Sequence, residues 1–494
     1  MTEKLTDLSM TQAHDLLRKR EISATELTKA YIANMEKYRD LNAFVTETAD
    51  LALKQACDSD KHFADGSARE LEGLPLAIKD LYCTKGVRTT ASSKMLENFV
   101  PQYESTVTEK LFDAGAVMVG KTSLDEFAMG STNLTSYFGE VKNPYKRNGE
   151  DLVPGGSSGG SASAVASGQA IAATGSDTGG SIRQPASFCG LVGMKPTYGR
   201  ASRYGIVAFA SSLDCPGPIT RTVADSALFL KVIAGLDAND PTTAPKPVDD
   251  YTKVLGESIK GLKIGIPAEY KSDKLNPEVQ KLWDERAEDL RKLGAEIVEI
   301  SLPHTKYSLP VYYIIAPAEA SSNLSRYDGV KYGYRTTSPF KSLDEMYELT
   351  RTEGFGAEVK KRLLIGSTIL TEEFYERSYL KALKTRHIIC DEFNEAFKKV
   401  DVILTPTTTG AAFSKNDKLT PLEVYLNDVY TVGADLAGIP AISIPVGRDS
   451  NGLPLGLQIM GRRFDESTVY KFAHQLEAIS QFNNTPSFVM GDNK

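Results

Sequence analysis

Histidine is scarce in this sequence. Only His14, His62, His304, His387 and His474 occur in 494 residues, and none lies between Lys79 and His304. A chemical centre inside that stretch has no local histidine to act as its base. Cysteine is thin and scattered: Cys57, Cys83, Cys189, Cys215 and Cys390 are odd in number and form no CxxC pair. That argues against a disulfide framework and a zinc site, and for reduced thiols in a cytosolic setting. No apolar run approaches the about 18 residues that cross a bilayer. The N-terminal MTEKLTDLSM has no hydrophobic signal core, so a cytoplasmic protein without a membrane segment is expected. A basic excess is missing too. Lysine and arginine number 57 against 64 acidic residues, a formal charge of −7, which argues against a chain that holds nucleic acid mainly by its own surface. Hydrophobic residues at 41 % and charged residues at 24 % are ordinary for a globular protein, which excludes a disordered chain, a collagen-like fibre and a small disulfide scaffold.

What is present reads as a mixed α/β protein. At about 150 residues per domain the length allows several domains or one large one. The absence of repeats, long linkers and low-complexity tails favours a single unit over 1–494. The first 57 residues read as helices, with capping boxes at Ser9-x-x-Gln12 and Ser23-x-x-Glu26, where each end's side chain satisfies the other's free N–H. Residues 74–79 read as a short buried strand, 105–114 as a helix, and GAVMVGKT as a strand running into a turn. Leu262, Ile264 and Ile266 alternate as in a strand. Asn276-Pro277 then starts a helix, since proline at the first helical position loses no needed hydrogen bond. Gly294 stops it before a strand at Ile297–Ile300. Strands return at Val402–Leu404, Ala441–Val446 and Leu455–Met460, and a last helix covers 466–480. Residues of about 310–395 form a mainly helical excursion. This alternation predicts a central sheet covered on both faces by helices.

Residues 154–181, PGGSSGGSASAVASGQAIAATGSDTGGS, are almost wholly glycine, serine and alanine, with Asp177 the only charge. A flexible linker is the plain alternative. Against it, Ser161–Ala173 mixes small and apolar residues like a buried helix, and the glycines cluster in two turns at its ends. Ser157 and Ser181, each beside a glycine pair, can be brought together by such turns. A serine hydroxyl is a weak nucleophile and needs a base. A lysine serves if burial keeps it neutral. Lys79, ending the apolar run Leu74–Ile78, is the candidate, although its local pattern alone reads as a strand-end lysine extending to water. Asp177 reads as a turn cap.

LPLAIKD, GGSSGGSASAV and GSDTGGSIRQPASFCGLVGMKPTYGR together resemble the amidase signature family. The resemblance runs through RYGIVAFASSLDCPGPITRTVAD, APAEASSNLSRYDGVKYGYR, GFGAEVKKR and DLAGIPAISIPVG, nearly the whole chain, and these later blocks are most similar to the glutamine-hydrolysing A subunits of tRNA-dependent amidotransferases. The resemblance implies an amidase signature fold and a Ser-Ser-Lys triad. Ser181 would be the nucleophile, Ser157 the bridging serine after a cis peptide bond, and Lys79 the base. The backbone N–H groups of Thr178, Gly179, Gly180 and Ser181 would form an oxyanion hole. Glutamine would be held by Arg362 at its α-carboxylate and Asp428 at its α-ammonium, with Tyr312 lining the pocket; Lys361 and Tyr313 are adjacent alternatives. No metal or cofactor is implied in this chain. ATP and Mg²⁺ are expected in a B subunit that also carries most of the tRNA contact, with a small C subunit completing a heterotrimer. The released ammonia would convert Glu-tRNA(Gln), or Asp-tRNA(Asn), to the amide form.

Two rivals share parts of these residues. A stand-alone amidase acting on aryl or fatty amides would use the same triad without a pocket for a zwitterion. Gly115-x-x-x-x-Gly120-Lys121-Thr122 matches the P-loop of nucleotide-binding proteins, but its intervening AVMV reads as a strand rather than a glycine-rich turn.

Overall fold

The computed structural model describes residues 4–271 and 275–491. Its strands in chain order are β1 (Phe44–Glu47), β2 (Pro75–Lys79), β3 (Val117–Thr122), β4 (Lys146–Arg147), β5 (Glu150–Asp151), β6 (Ala172–Asp177), β7 (Val192–Lys195), β8 (Cys215–Thr220), β9 (Lys263–Pro267), β10 (Glu296–Ile300), β11 (Val402–Pro406), β12 (Ala441–Arg448) and β13 (Pro454–Gly461). β4 and β5 make a separate ribbon. The others form one mixed sheet in the order β1-β3-β2-β6-β8-β7-β12-β13-β11-β9-β10. β3, β2 and β6 run parallel to one another, as do β11, β9 and β10; the pairings from β6 to β11 are antiparallel.

Helices flank this sheet. Ala49–Asp65 packs on β3, Val223–Ile233 on β8, Pro277–Lys292 on β11, and Glu466–Ser480 on β12 and β13. With both sides covered, β2, β3, β6 and β8 are buried along their whole length, which is why they read as continuous runs of small and apolar residues rather than alternating ones. The expected start of the helix after Asn276 holds: the Asn276 side chain accepts from the Glu278 amide, with Pro277 at the first position. From that helix the single tryptophan, Trp283, donates from Nε1 to the Leu404 carbonyl at 3.1 Å. The excursion consists of helices Ser308–Asn323, Leu343–Gly354, Ala357–Ile369 and Lys381–Ala396; the third and fourth pack on the first.

Both capping boxes form. Ser23→Ala is expected to lower stability by about 1 kcal/mol, since it removes the acceptor for the Glu26 amide; urea unfolding with an unchanged m-value measures it.

Two expectations are corrected. The N-terminal segment is not wholly helical: Asn42 takes a left-handed conformation (φ 53°), and Phe44–Glu47 then pairs antiparallel with β3 at the sheet edge. Its four partly exposed residues are too few to show a period. The stretch Ser161–Ala173 is also not one helix. Gly159–Ala166 is helical, the chain turns at Gly168 (φ +70°), and Ala172 opens β6. Small residues suit both a tight helix and a buried strand, so composition does not separate them.

Candidate active site

The site forms where β2 and β6, parallel neighbours, reach their C-terminal ends. There the Lys79 amide donates to Thr174 Oγ1 at 2.8 Å. The lysine does not extend to water. Its side chain is fully buried, because the turn holding Ser157 and Ser158 and the neighbouring strand residue Ser176 close over the strand end. Lys79 Nζ lies 2.8 Å from each of the Ser157, Ser158 and Ser176 hydroxyl oxygens and 3.4 Å from the Ser176 carbonyl. Burial pushes the amine down to about 7, against the pull of Asp125, Asp177 and Asp214. A neutral amine has two N–H donors and one lone pair. It can donate to two of these hydroxyls while accepting from the third.

The bridging turn is held from several sides. The Gly156–Ser157 peptide bond is cis. Gly156 N–H donates to Gln184 Oε1 at 2.8 Å, and the Asp125 amide donates to the Ser157 carbonyl at 3.2 Å. The Ser158 amide donates to the Ser181 carbonyl at 3.2 Å, which ties the two serine turns together. Lys79 and Ser157 have no exposure, whereas Ser181 retains 8 %. Of the three, Ser181 is therefore the one most accessible to solvent.

Asp177 does cap the second turn. Its carboxylate accepts from the amides of Gly180 (2.6 Å), Ile182 (3.1 Å) and Arg183 (3.3 Å). Burial alone would push its carboxyl up, but the Arg183 guanidinium beside it holds it well below the usual carboxylate range. Arg183 is itself fixed by Asp435, Gln458 and the Thr431 carbonyl. One expectation narrows here. The Gly180 N–H is committed to Asp177, so of the four amides named for the oxyanion hole those of Thr178, Gly179 and Ser181 remain. Asp214 steadies the turn's first residue, accepting from Thr178 Oγ1 at 2.8 Å and from the Phe209 and Ala210 amides; burial pushes its carboxyl up to about 6.

Tyr312, Arg362 and Asp428 are all buried. Tyr312 lies against the second turn: a Cβ on Gly179 would sit 2.7 Å from its Cζ. Arg362 pairs with Glu358 at 2.8 Å, with the Phe209 and Tyr313 rings each 5.6 Å from its guanidinium carbon. Burial pushes the Asp428 carboxyl up to about 8, although the charge of Arg362 pulls it down. Lys361, by contrast, is about half exposed and donates to the Tyr425 hydroxyl. With Tyr313 and Arg362 it lines a cavity of about 330 Å³. A larger cavity of about 1160 Å³ lies beside the segment 409–430 and is lined by none of Lys79, Ser157 and Ser181.

The P-loop match is a buried strand. Lys121 sits inside β3, donating to the Tyr82 carbonyl (2.7 Å) and Thr89 Oγ1 (2.6 Å), with Asp80 at 3.6 Å; it is closed off from any phosphate. Among the described residues no cluster of three or more His, Cys, Asp or Glu is placed to hold a metal, and no helix is long and apolar enough to cross a membrane. Sequence reasoning gave Ser158 no role beyond a Gly156-x-Ser158-x-Gly160 elbow match that was set aside, and missed Ser176, Asp125, Asp214 and Thr431. The polar residues Thr174, Ser176 and Asp177 in the fully buried strand AATGSD were the available signal for Ser176.

A buried lysine serving paired serine turns on a mixed sheet defines an α/β enzyme whose polar centre is made of serines and lysine. The comparisons with known proteins agree on the kind. The chain belongs to the amidase family, whose model matches residues 26–470. It is 56 % identical over 485 residues, 98 % of each chain, to the A subunit of the glutamyl-tRNA(Gln) amidotransferase of Parvibaculum lavamentivorans. It is 57 % identical over 490 residues to the corresponding protein of Rhodospirillum rubrum, covering 99 % of this chain and 98 % of the relative. Among solved structures it is similar to the A subunit of the glutamyl-tRNA(Gln) amidotransferase of Thermotoga maritima, with a TM-score of 0.80, 38 % identity and 98 % of each chain covered. It also resembles the peptide amidase of Stenotrophomonas maltophilia, with a TM-score of 0.81, 30 % identity, and 97 % and 98 % covered.

Proposed function

We propose that this chain, as one amidase unit, is the glutamine-hydrolysing subunit of a tRNA-dependent amidotransferase. The observation that carries the reading is the fully buried Lys79 amine 2.8 Å from the Ser157 hydroxyl, on a turn that the Ser158 amide ties to the Ser181 carbonyl. Neutral Lys79 takes a proton from Ser157 as Ser157 takes one from Ser181. Ser181 Oγ attacks the glutamine carboxamide, and the amides of Thr178, Gly179 and Ser181 receive the charge that develops on its oxygen. The tetrahedral adduct collapses to an acyl-enzyme, and the proton returns to the leaving nitrogen, which departs as ammonia. Water, deprotonated by the same relay, then attacks the acyl carbonyl, releasing glutamate and restoring Ser181.

The zwitterionic head group distinguishes this substrate from a simple amide. Arg362 binds the α-carboxylate, Asp428 the α-ammonium, and Tyr312 forms a wall between them and the Gly179 turn. A substrate ammonium beside Asp428 supplies the positive charge its buried carboxylate needs in order to ionise. The ammonia passes to a B subunit that binds tRNA and uses ATP with Mg²⁺, held with this chain by a C subunit in a cytoplasmic heterotrimer. There it converts Glu-tRNA(Gln), or Asp-tRNA(Asn), to the amide form.

Co-purification with B and C subunits, followed by a glutaminase assay with and without tRNA and ATP, tests the reading. Stimulation by the complete set is expected. Rapid turnover of aryl or fatty amides by the chain alone, with no glutaminase gain from the partners, would replace it with a stand-alone amidase. Arg362→Ala is expected to raise the Michaelis constant for glutamine by about 10- to 100-fold, the loss of one charge-assisted contact, with the circular dichroism spectrum preserved. An unchanged constant would remove Arg362 from the pocket.

A further inference from the structure

Gly179 and Gly180 share one peptide unit, and both of its polar ends are anchored. The Gly179 carbonyl accepts from Thr431 Oγ1 at 2.7 Å, and the Gly180 N–H donates to Asp177 Oδ1 at 2.6 Å. This unit needs anchoring more than most. It has glycine on both sides and φ +133° at Gly180, so no Cβ restricts its rotation. If either anchor is lost, the plane turns about ψ of Gly179 and φ of Gly180. The amides on either side, Gly179 N–H and Ser181 N–H, then no longer point at one acceptor position.

Thr431 is built into this place. A Cβ on Gly180 would lie 2.4 Å from its Oγ1, so turn and side chain are in direct contact. Its carbonyl accepts from Arg183 Nη1 at 3.0 Å, the guanidinium that also grips Asp177. Its amide donates to the Asp428 carbonyl at 3.1 Å, and its hydroxyl lies 3.0 Å from that same oxygen. The one hydroxyl proton thus has two possible acceptors, one on the serine turn and one on the residue assigned to the substrate ammonium.

We propose that Thr431 is a positioning residue that locks the Gly179–Gly180 peptide plane. The lock does not depend on the glutaminase reading. The Asp428 carbonyl that shares the Thr431 proton is itself held by the Thr431 and Val432 amides, each at 3.1 Å, so the hydroxyl is presented to the Gly179 carbonyl from a fixed turn.

The test compares Thr431→Val, which keeps the shape and removes the hydroxyl, with Thr431→Ser, which keeps the hydroxyl, both in the complex with the partner subunits. Thr431→Val is expected to lower kcat for glutamine by on the order of 10- to 100-fold, less than loss of an oxyanion donor outright, with a nearly unchanged Michaelis constant; Thr431→Ser restores kcat. Equal losses in the two variants, or none in valine, overturn the lock. If the wild type hydrolyses no glutamine, the glutaminase reading has failed and the lock is read separately, by the rate at which a fluorophosphonate phosphonylates Ser181 with loss of fluoride. Slower labelling in Thr431→Val than in wild type and Thr431→Ser supports it, and equal rates sink it.

Discussion

Ser181→Ala is expected to lower the glutaminase kcat by on the order of 10⁴-fold or more, the scale seen when a nucleophile is removed from a relay whose members act as a unit. The fold should survive. The contact that Ser181 makes with the bridging turn uses its carbonyl, which accepts from the Ser158 amide, and alanine keeps that carbonyl. The buried Lys79–Ser157–Ser158–Ser176 cluster also loses nothing. A steady-state assay beside a thermal melt separates the outcomes. A large loss with a preserved melting temperature identifies the nucleophile. Retained activity would mean that another hydroxyl attacks, and the assignment would fail.

The second large effect is a pH dependence set by Lys79. Its amine acts only when neutral, and burial has brought it down to about 7. Below that value the glutaminase rate should fall about tenfold per pH unit, and above it the rate should level off. Asp428 adds a second rise. In the empty pocket its carboxyl sits at about 8, and it must ionise to receive an ammonium, so kcat/KM should rise through both values. Once substrate is bound the ammonium holds Asp428 ionised, and kcat should show only the lower step. Lys79→Ala should lower kcat by on the order of 10³-fold or more and abolish that lower step, while Asp428→Asn should remove the upper one. A kcat independent of pH between 6 and 8 in the wild type would exclude a neutral Lys79 as base.

Stability follows the same group with a definite sign. The folded lysine titrates near 7 and the unfolded one near 10.5. Between these values the unfolded chain binds the extra proton, so stability rises with pH across that window and is lowest below it. Lys79→Met removes this dependence. The melting temperature of wild type should therefore gain on that of the variant as pH rises from 7 towards 10.

The elements that could be read from sequence are those whose cause is local. The two N-terminal capping boxes, the Asn276-Pro277 helix start and the strand–helix–strand unit around it depend on residues within a few positions of one another. The edge strand Phe44–Glu47 depends on pairing with β3, more than 70 residues away, and was invisible for that reason. Lys79 shows the divide most clearly. From its neighbours it reads as a lysine bound for solvent; only the closure of the distant Ser157–Ser158 turn, and of Ser176 on the neighbouring strand, over the strand end removes its water.

By itself, then, the sequence settled the α/β class and the family to which the chain belongs, and nominated the three residues that the proposal places at the centre of the chemistry, because rare combinations of glycine, serine and lysine are carried in short contiguous blocks. Tertiary structure decided what those residues are physically. It lowered the amine to about 7 by burying it, took the Gly180 amide for Asp177, and brought Thr431 to within a hydrogen bond of a peptide some 250 positions earlier. Desolvation and the direction of a peptide plane belong to the assembled fold, where groups far apart along the chain exclude water from one another.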